Sequence, residues 1–423
     1  DRWRPPVVAL EQRAPTTDPA NRTWQEEYLS AGKRPKFKVR LPGEGPLRIL
    51  QLTDLHLFPA TLETWRTGGR DVDCRRANDA CLALVAQLVQ RVKPQLCILT
   101  GDTIDGRPFR GAPRTAWRAV FEALTAPLVE AGCSWTFCPG NHDDDDSPWP
   151  RDSLLGLYEL PGCISAGARA WDHTLTLRCG ETAVRAVLLD SGGNDAEFRY
   201  GTVSAAAVAG CAALRAVAAR EQRKALCFFH IPPPEAGGLC PVVGTQGLFD
   251  AALRSGKVPA PFCWVPWLVR LLGRDLVVGC STRNAGLHRA LVESGAFSAC
   301  FFGHDHHSDA IFRRDGLYLA YGRVGATTPP ATWEGKAPLP FAPGARVIEV
   351  DAACNVSTWV ETAAGEERGS RLHLDPRLEP GLPAQGARSR PWSRWAALLL
   401  LVPLVLAGLD RGSNRALWRE RAV

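Results

Sequence analysis

Short apolar runs, each broken off by an acidic or imidazole group close to a glycine or proline, pattern the middle of this chain. Leu47–Leu52, Leu96–Thr100, Trp135–Cys138, Ala225–Phe229 and Ala299–Phe302 are four to six residues long and read as buried strands. Ala345–Val350 reads as a final strand. Between them, Asn78–Val92, Arg114–Glu130 and Ser204–Lys224 place apolar residues at helical spacing. Strands alternating with helices predict an α/β fold.

The flanks are different. Residues 1–46 are rich in proline and charge and show no clear period, so an extended N-terminal arm is expected. The α/β region runs from 47 to about 360, with an insertion at about 240–280. That insertion holds Phe262, Trp264, Trp267 and the run Leu268–Leu272. It reads as a helix covering the core edge, with an apolar lid as the other reading. Residues 361–394 read as a polar linker rich in proline and glycine. Trp395–Leu409 then gives 15 residues without a charge, fewer than the ~20 that normally span a bilayer. A membrane-spanning helix is expected there, with an interfacial or core helix as the alternative. Trp392 and Trp395 suit one interface, and the basic tail 410–423 suits the cytosol. The short span favours a thin bilayer such as that of the endoplasmic reticulum, with the catalytic region in the lumen.

Composition adds exclusions. Lys plus Arg is 50 against 44 Asp plus Glu, a net charge of +6. The excess is mild and forms no basic stripe interleaved with aromatics, so nucleic-acid binding is not indicated. The 14 cysteines include no Cys-x-x-Cys pair, which argues against zinc ribbons and thioredoxin-like motifs. Cys97, Cys227 and Cys300 fall inside predicted strands, whereas Cys74, Cys163, Cys179, Cys240 and Cys263 are free to pair. Methionine is absent and the first residue is Asp1, as expected of a chain whose signal peptide has been removed. Asn21 and Asn355 head glycosylation triplets if the region is lumenal.

The chemistry sits at the ends of the runs. In order they are Asp54-Leu55-His56, Gly101-Asp102, Gly140-Asn141-His142-Asp143, His230 and Gly303-His304-Asp305-His306. Singly, each has a plain structural explanation: a turn carboxylate, a capping Asp, a satisfied core histidine. Five in order, each closing an apolar run, point instead to one cleft lined with Asp, Asn and His. Those are ligand types for a pair of divalent cations. Two such ions held close together activate water and clamp phosphate. No Gly-x-Ser-x-Gly signature for a nucleophilic serine is evident.

With these motifs the chain resembles the calcineurin-like metallophosphoesterase family, closest to its single-domain purple-acid-phosphatase-like branch. The resemblance covers Leu47 to Asp351, about three quarters of the chain. It extends to Leu188-Leu189-Asp190-Ser191-Gly192, Tyr200-Gly201, the stretch from Phe228 to Glu235, and Tyr321-Gly322. It implies two packed, mainly mixed β-sheets flanked by helices. It also implies Asp54, His56 and His306 on a first metal, Asp102 bridging, and Asn141, His230 and His304 on a second. His142 would contact the phosphate and protonate or stabilise the leaving oxygen, with Asp143 holding His142 in its working tautomer. Asp144 to Asp146 read as solvated loop.

One departure concerns the metal. True purple acid phosphatases are similar to Asp-x-Gly and Gly-Asp-x-x-Tyr at the first two motifs, whereas this chain has His56 and Asp105 there. No tyrosinate for Fe(III) is then expected, and Mn, Fe and Zn all suit the set. The implied activity is hydrolysis of a phosphoester by hydroxide shared between the cations, attacking phosphorus in line. The alternative is a catalytically silent binding or scaffold protein on the same fold. All seven ligand positions and His142 are filled, which favours the hydrolase.

Overall fold

The computed structural model describes residues 36–375, apart from 42–44, 68–69, 111, 146–149, 169, 180–181, 196–199, 216–224, 237–240, 245–277 and 327–340. Strands β1 (Lys36–Leu41), β2 (Leu47–Leu52), β3 (Thr64–Thr67) and β4 (Arg70–Asp73) precede helix α1 (Cys74–Val92). Next come β5 (Leu96–Thr100), α2 (Arg114–Glu130), β6 (Ser134–Cys138), β7 (His173–Cys179), β8 (Thr182–Leu188) and α3 (Ala205–Ala212). Then follow β9 (Ala225–Phe228), α4 (Leu287–Ser294), β10 (Phe297–Phe302), β11 (Ile311–Arg314) and β12 (Leu317–Tyr321). Strands β13 (Gly344–Val350), β14 (Val356–Thr362), β15 (Gly365–Glu366) and β16 (Leu372–Leu374) close the described part.

Two mixed sheets result. One runs β1-β7-β8-β9-β10-β12-β11, the other β15-β14-β13-β2-β5-β6, with β16 beside β14. The centre of each sheet is parallel: β8, β9, β10 and β12 in the first, and β2, β5 and β6 in the second.

Side-chain alternation explains why the sheets stack. Ile49, Ile98, Leu226, Phe228, Ala299, Phe301 and Ile348 point into one shared core between the sheets. Their neighbours Leu50, Cys97, Leu99 and Val347 point the other way, against α1 and α2. Cys227, Phe229, Cys300 and Phe302 likewise face α3 and α4. Each central strand is therefore apolar on both faces, which is why it appears as an unbroken hydrophobic run. The layers are helices, sheet, sheet, helices. Parallel neighbours force crossovers, so the ends of β2, β5, β6, β9 and β10 collect at one rim of the sandwich.

The expected arm and linker need redrawing. Lys36–Leu41 pairs in parallel with β7, so the sheet begins inside residues 1–46. Residues 361–375 complete β14 and form β15 and β16 rather than a linker. Cys74 and Cys163, expected as possible disulfide partners, are buried free thiols. Among the described residues, no helix is long and apolar enough to cross a membrane. Trp395–Leu409, the tail after it and most of the 240–280 insertion lie outside the described residues. The described residues all belong to one compact unit, Asp1–Leu378.

Phe228 and Phe301 stack between the sheets with ring centroids 5.3 Å apart. Phe301→Ala should cost about 3–5 kcal/mol, the usual penalty for emptying a buried aromatic site. Denaturant unfolding measures it, and a loss below about 1 kcal/mol would show that this stack does not hold the sheets together.

Candidate metal centre

The motif loops are laced to each other by their backbones. Asp54 N–H donates to Gly101 O at 3.0 Å, His56 N–H to Asp102 O at 2.9 Å, and Gly303 N–H to His230 O at 3.1 Å. Two glycines allow this closeness. A Cβ on Gly140 would fall 2.1 Å from Asp102 Oδ1, and one on Gly303 would fall 1.9 Å from Thr53 Oγ1. Asp54, His56, Asp102 and His304 adopt left-handed φ of +54°, +47°, +49° and +78°. That region is unfavourable for residues other than glycine. Four of the seven such residues in the described part are thus expected ligands, the clustering of strain typical of functional sites.

The side chains converge in two groups. Asp54, His56, Asp102 and His306 offer ligand atoms within 4.8 Å of one another, and so do Asp102, His230 and His304. Asp102 belongs to both. His56 Nε2 lies 3.0 Å from His306 Nε2, and His306 Nε2 lies 3.4 Å from Asp54 Oδ1. That closeness suits two imidazole nitrogens turned toward one shared ion. His230 Nε2 lies 3.1 Å from Asp102 Oδ2 and 3.1 Å from Asn141 Oδ1. Its other nitrogen, Nδ1, meets Thr100 O at 2.7 Å, the backbone contact that commonly orients a ligating histidine. Asp102 Oδ2 and Asn141 Nδ2 are buried without a well-aligned hydrogen bond. The Asn141 amide left so in a dry pocket is costly unless something else occupies it, whereas Asp102 Oδ2 has His230 Nε2 beside it. The donor set and its spacing fit two divalent cations.

Electrostatics agree. Burial, opposed by the Asp102 carboxylate and helped by His306, His142 and Arg107, holds His56 well below the ordinary imidazole range. Burial and the charge of His230 push His304 down to about 3. Both rings are therefore neutral and keep a lone pair for a ligand. For His230, burial is outweighed by the Asp102 carboxylate, which lifts the ring to about 9. A cation taking that nitrogen must displace a proton. Asp102 itself is buried, yet His230, His142 and His56 hold it well below the usual carboxylate range.

His142 and Asp143 are divided differently from the expectation. The Asp143 carboxylate does not hold His142. It accepts backbone N–H groups from Gly140 at 2.6 Å, Asp102 at 2.9 Å, Thr103 at 2.9 Å and Ile104 at 3.0 Å. The carboxylate on His142 Nδ1 is Asp145, which also accepts from Asn194 Nδ2 at 2.9 Å. Asp144, expected in solvent, pairs with Arg151. Arg151 also donates to Gly140 O at 2.8 Å and Asp190 Oδ1 at 2.9 Å, bracing the Asn141 loop from behind. Burial lowers the His142 pKa, but Asp102 and Asp145 outweigh it and hold it above the ordinary value. Asp105, at the tyrosine position, is buried and clasped by Arg107 at 2.8 and 2.6 Å. The His-x-x-Asp spacing from 142 to 145 was the available signal for the first contact. For Asn194 and Arg151 the chain order carried none.

A family model for calcineurin-like phosphoesterases matches residues 47–308. Phosphatase DCR2 of Saccharomyces cerevisiae is 33% identical over 125 residues, which is 28% of this chain and only 21% of that protein. An Arabidopsis thaliana protein named probable inactive purple acid phosphatase 29 is 20% identical over 322 residues, covering 67% of this chain and 73% of its own. Among solved structures, a dimetal phosphatase from Danio rerio superposes with a TM-score of 0.52 at 15% identity, covering 79% of this chain and 100% of its own. That likeness concerns the fold.

Asp143→Asn should destabilise the protein by about 2 kcal/mol, because an amide turns a donor toward N–H groups that need an acceptor. It should also lower the bound metal. Thermal melting and metal analysis check this. A variant that melts like wild type with full metal content would show that these four contacts do not hold the site.

Proposed function

Because the chain belongs to the calcineurin-like phosphoesterase family, we propose that it hydrolyses phosphoesters at a site holding two divalent cations. The observation that carries this reading is the position of Asp102, the one carboxylate common to both ligand groups. Asp54, His56 and His306 would hold one cation, and Asn141, His230 and His304 the other. Manganese, iron and zinc all suit imidazoles mixed with carboxylate and amide oxygens. With Asp105 engaged by Arg107, the proposed centre has no tyrosinate in that position.

Two cations held there would supply charge to neutralise the phosphoester and would bring the pKa of a water toward neutrality. The residues of the chain supply the rest. Asp102 keeps its charge by its histidine neighbours. His142 is partly exposed, with 23% of its side chain accessible. With Asp145 on Nδ1, its Nε2 is the atom left to exchange a proton. A raised pKa suits a general acid that protonates the departing oxygen. Asn194 fixes Asp145 and thereby the ring. Water gives up one proton to the solvent as its oxygen bonds to phosphorus, the ester P–O bond breaks, and the leaving oxygen takes the proton from His142 Nε2, which the solvent then restores.

Two variants test this reading. Asp102→Asn should abolish hydrolysis at saturating Mn, Fe or Zn and reduce metal stoichiometry. Turnover near wild type would sink the shared-carboxylate assignment. His142→Ala should keep both metals and lower turnover by roughly 10²–10⁴, with a smaller loss for nitrophenyl esters, whose leaving group needs no proton. An equal loss for alkyl and aryl esters would mean that His142 only positions phosphate. A wild-type protein that binds two metals and cleaves no ester would support the silent scaffold instead.

A further inference from the structure

We propose that Asp305 and Tyr321 are positioning residues for the second cation: together they hold the Gly279 backbone on the His304 ring and so fix that ring toward Asp102 and His230. This rests on the two-cation part of the reading above and deepens it.

Tyr321 is placed by the sheet. It ends β12, where Phe302 of β10 is its parallel partner. Its ring stands edge-on to Phe302, centroids 4.7 Å apart, and is fully buried. Gly322 N–H closes the strand end on Phe302 O at 2.6 Å. Burial, and then the neighbouring Asp305, raises the Tyr321 hydroxyl well above its ordinary range. The hydroxyl therefore keeps its proton and donates to Asp305 Oδ2 at 2.9 Å. Strand β10 leads into the loop that carries His304, Asp305 and His306. One pair of neighbouring strands thus carries both the donor and the carboxylate it orients.

A second donor reaches Asp305 from another segment. Gly279 N–H is shared between the two carboxylate oxygens, 3.1 Å from each. Val278, just before it, is buried in the core that faces α3 and α4. Glycine is required at 279, since a Cβ would fall 2.5 Å from Asp305 Oδ1. The same Cβ would fall 3.0 Å from Cδ2 and 3.1 Å from Nε2 of His304, so this backbone lies directly on the ring. Tyr200 stands perpendicular to the ring as well, centroids 4.3 Å apart, and the His230 ring is 5.2 Å away. The hydrogen bonds of His304 to described residues run from its backbone N–H to Asp54, at 3.0 and 3.1 Å, and leave the ring without one. A ligating imidazole is usually oriented by a hydrogen bond to its other nitrogen, as His230 is by Thr100 O. For His304 packing takes over that task, and Asp305 with Tyr321 fixes the piece of backbone that packs.

The test counts ions rather than turnover. Co²⁺, which mixed imidazole and carboxylate sites accept, is titrated into the full metal-free chain. Calorimetry gives the affinities, and the visible bands of bound Co²⁺ report the ligands of each ion. His304→Ala and His56→Ala supply the spectra of a protein lacking the second or the first ion. Wild type should take up two ions. Asp305→Ala should loosen one of them by about 10–100-fold, keep the other at wild-type affinity, and give the one-ion spectrum of His304→Ala. Tyr321→Phe keeps the ring and should loosen the same ion by about two- to tenfold. Asp305→Asn keeps a carbonyl acceptor and should fall between wild type and Asp305→Ala, and Gly279→Ala should loosen the same ion. If Asp305→Ala does not fold, Tyr321→Phe and Asp305→Asn decide. Unchanged affinities in these variants would overturn the proposal. So would equal loosening of both ions, or selective loss of the ion that His56→Ala loses. A wild-type chain that takes up one Co²⁺ or none would bring down the two-cation reading itself. A chain that takes up two and cleaves no ester would leave this inference standing.

Discussion

Four backbone N–H groups converge on one buried carboxylate, and the candidate site depends on that convergence. Asp143 joins the loop after β6 to the loop after β5 by taking N–H groups from Gly140, Asp102, Thr103 and Ile104. Asp102 can then hold its left-handed backbone and turn its side chain between the two ligand groups. The arrangement has a cost. Burial, followed by the nearby charge of Asp102, raises the Asp143 carboxyl to about 6. Two carboxylates this close in a dry pocket repel each other, and cations beside Asp102 would relieve the repulsion.

The sandwich makes this crowding possible. Parallel central strands in both sheets present their C-terminal ends at the same rim, and the residues just past those ends cannot continue the ladder. Their backbones instead bond across loops, as Asp54 does to Gly101 and Gly303 to His230. The strand residues just before His230 and Gly303, namely Phe228, Phe229, Phe301 and Phe302, are themselves fully buried, so the polar groups that follow start from a dry sheet end. Low polarity strengthens every charge interaction in the site and penalises any group left alone. Asp54, Asp102 and His230 are 2%, 1% and 0% exposed, and each sits against an oppositely charged or ligating neighbour.

The chain order alone determined the central strands, two long helices, the α/β class and the five polar motifs. It could do so because a strand buried on both faces must be continuously apolar, and its end must be marked by a turn residue. The same reasoning passed over Lys36-Phe37-Lys38-Val39-Arg40-Leu41. That stretch alternates with a period of two, but lies among prolines and charges that suggested an arm. Only the tertiary structure decided which partner each polar group took. Asp143 and Asp145 are both acids in one run, and the turn after Asn141 sends the first toward backbone N–H groups and the second toward His142. Asn194 meets Asp145 from 49 positions away, and Tyr200 meets His304 from more than a hundred. Apolar periodicity is a local property that the order of residues carries. The reach of one side chain to another across loops depends on how strand ends are brought together, and packing alone settles that.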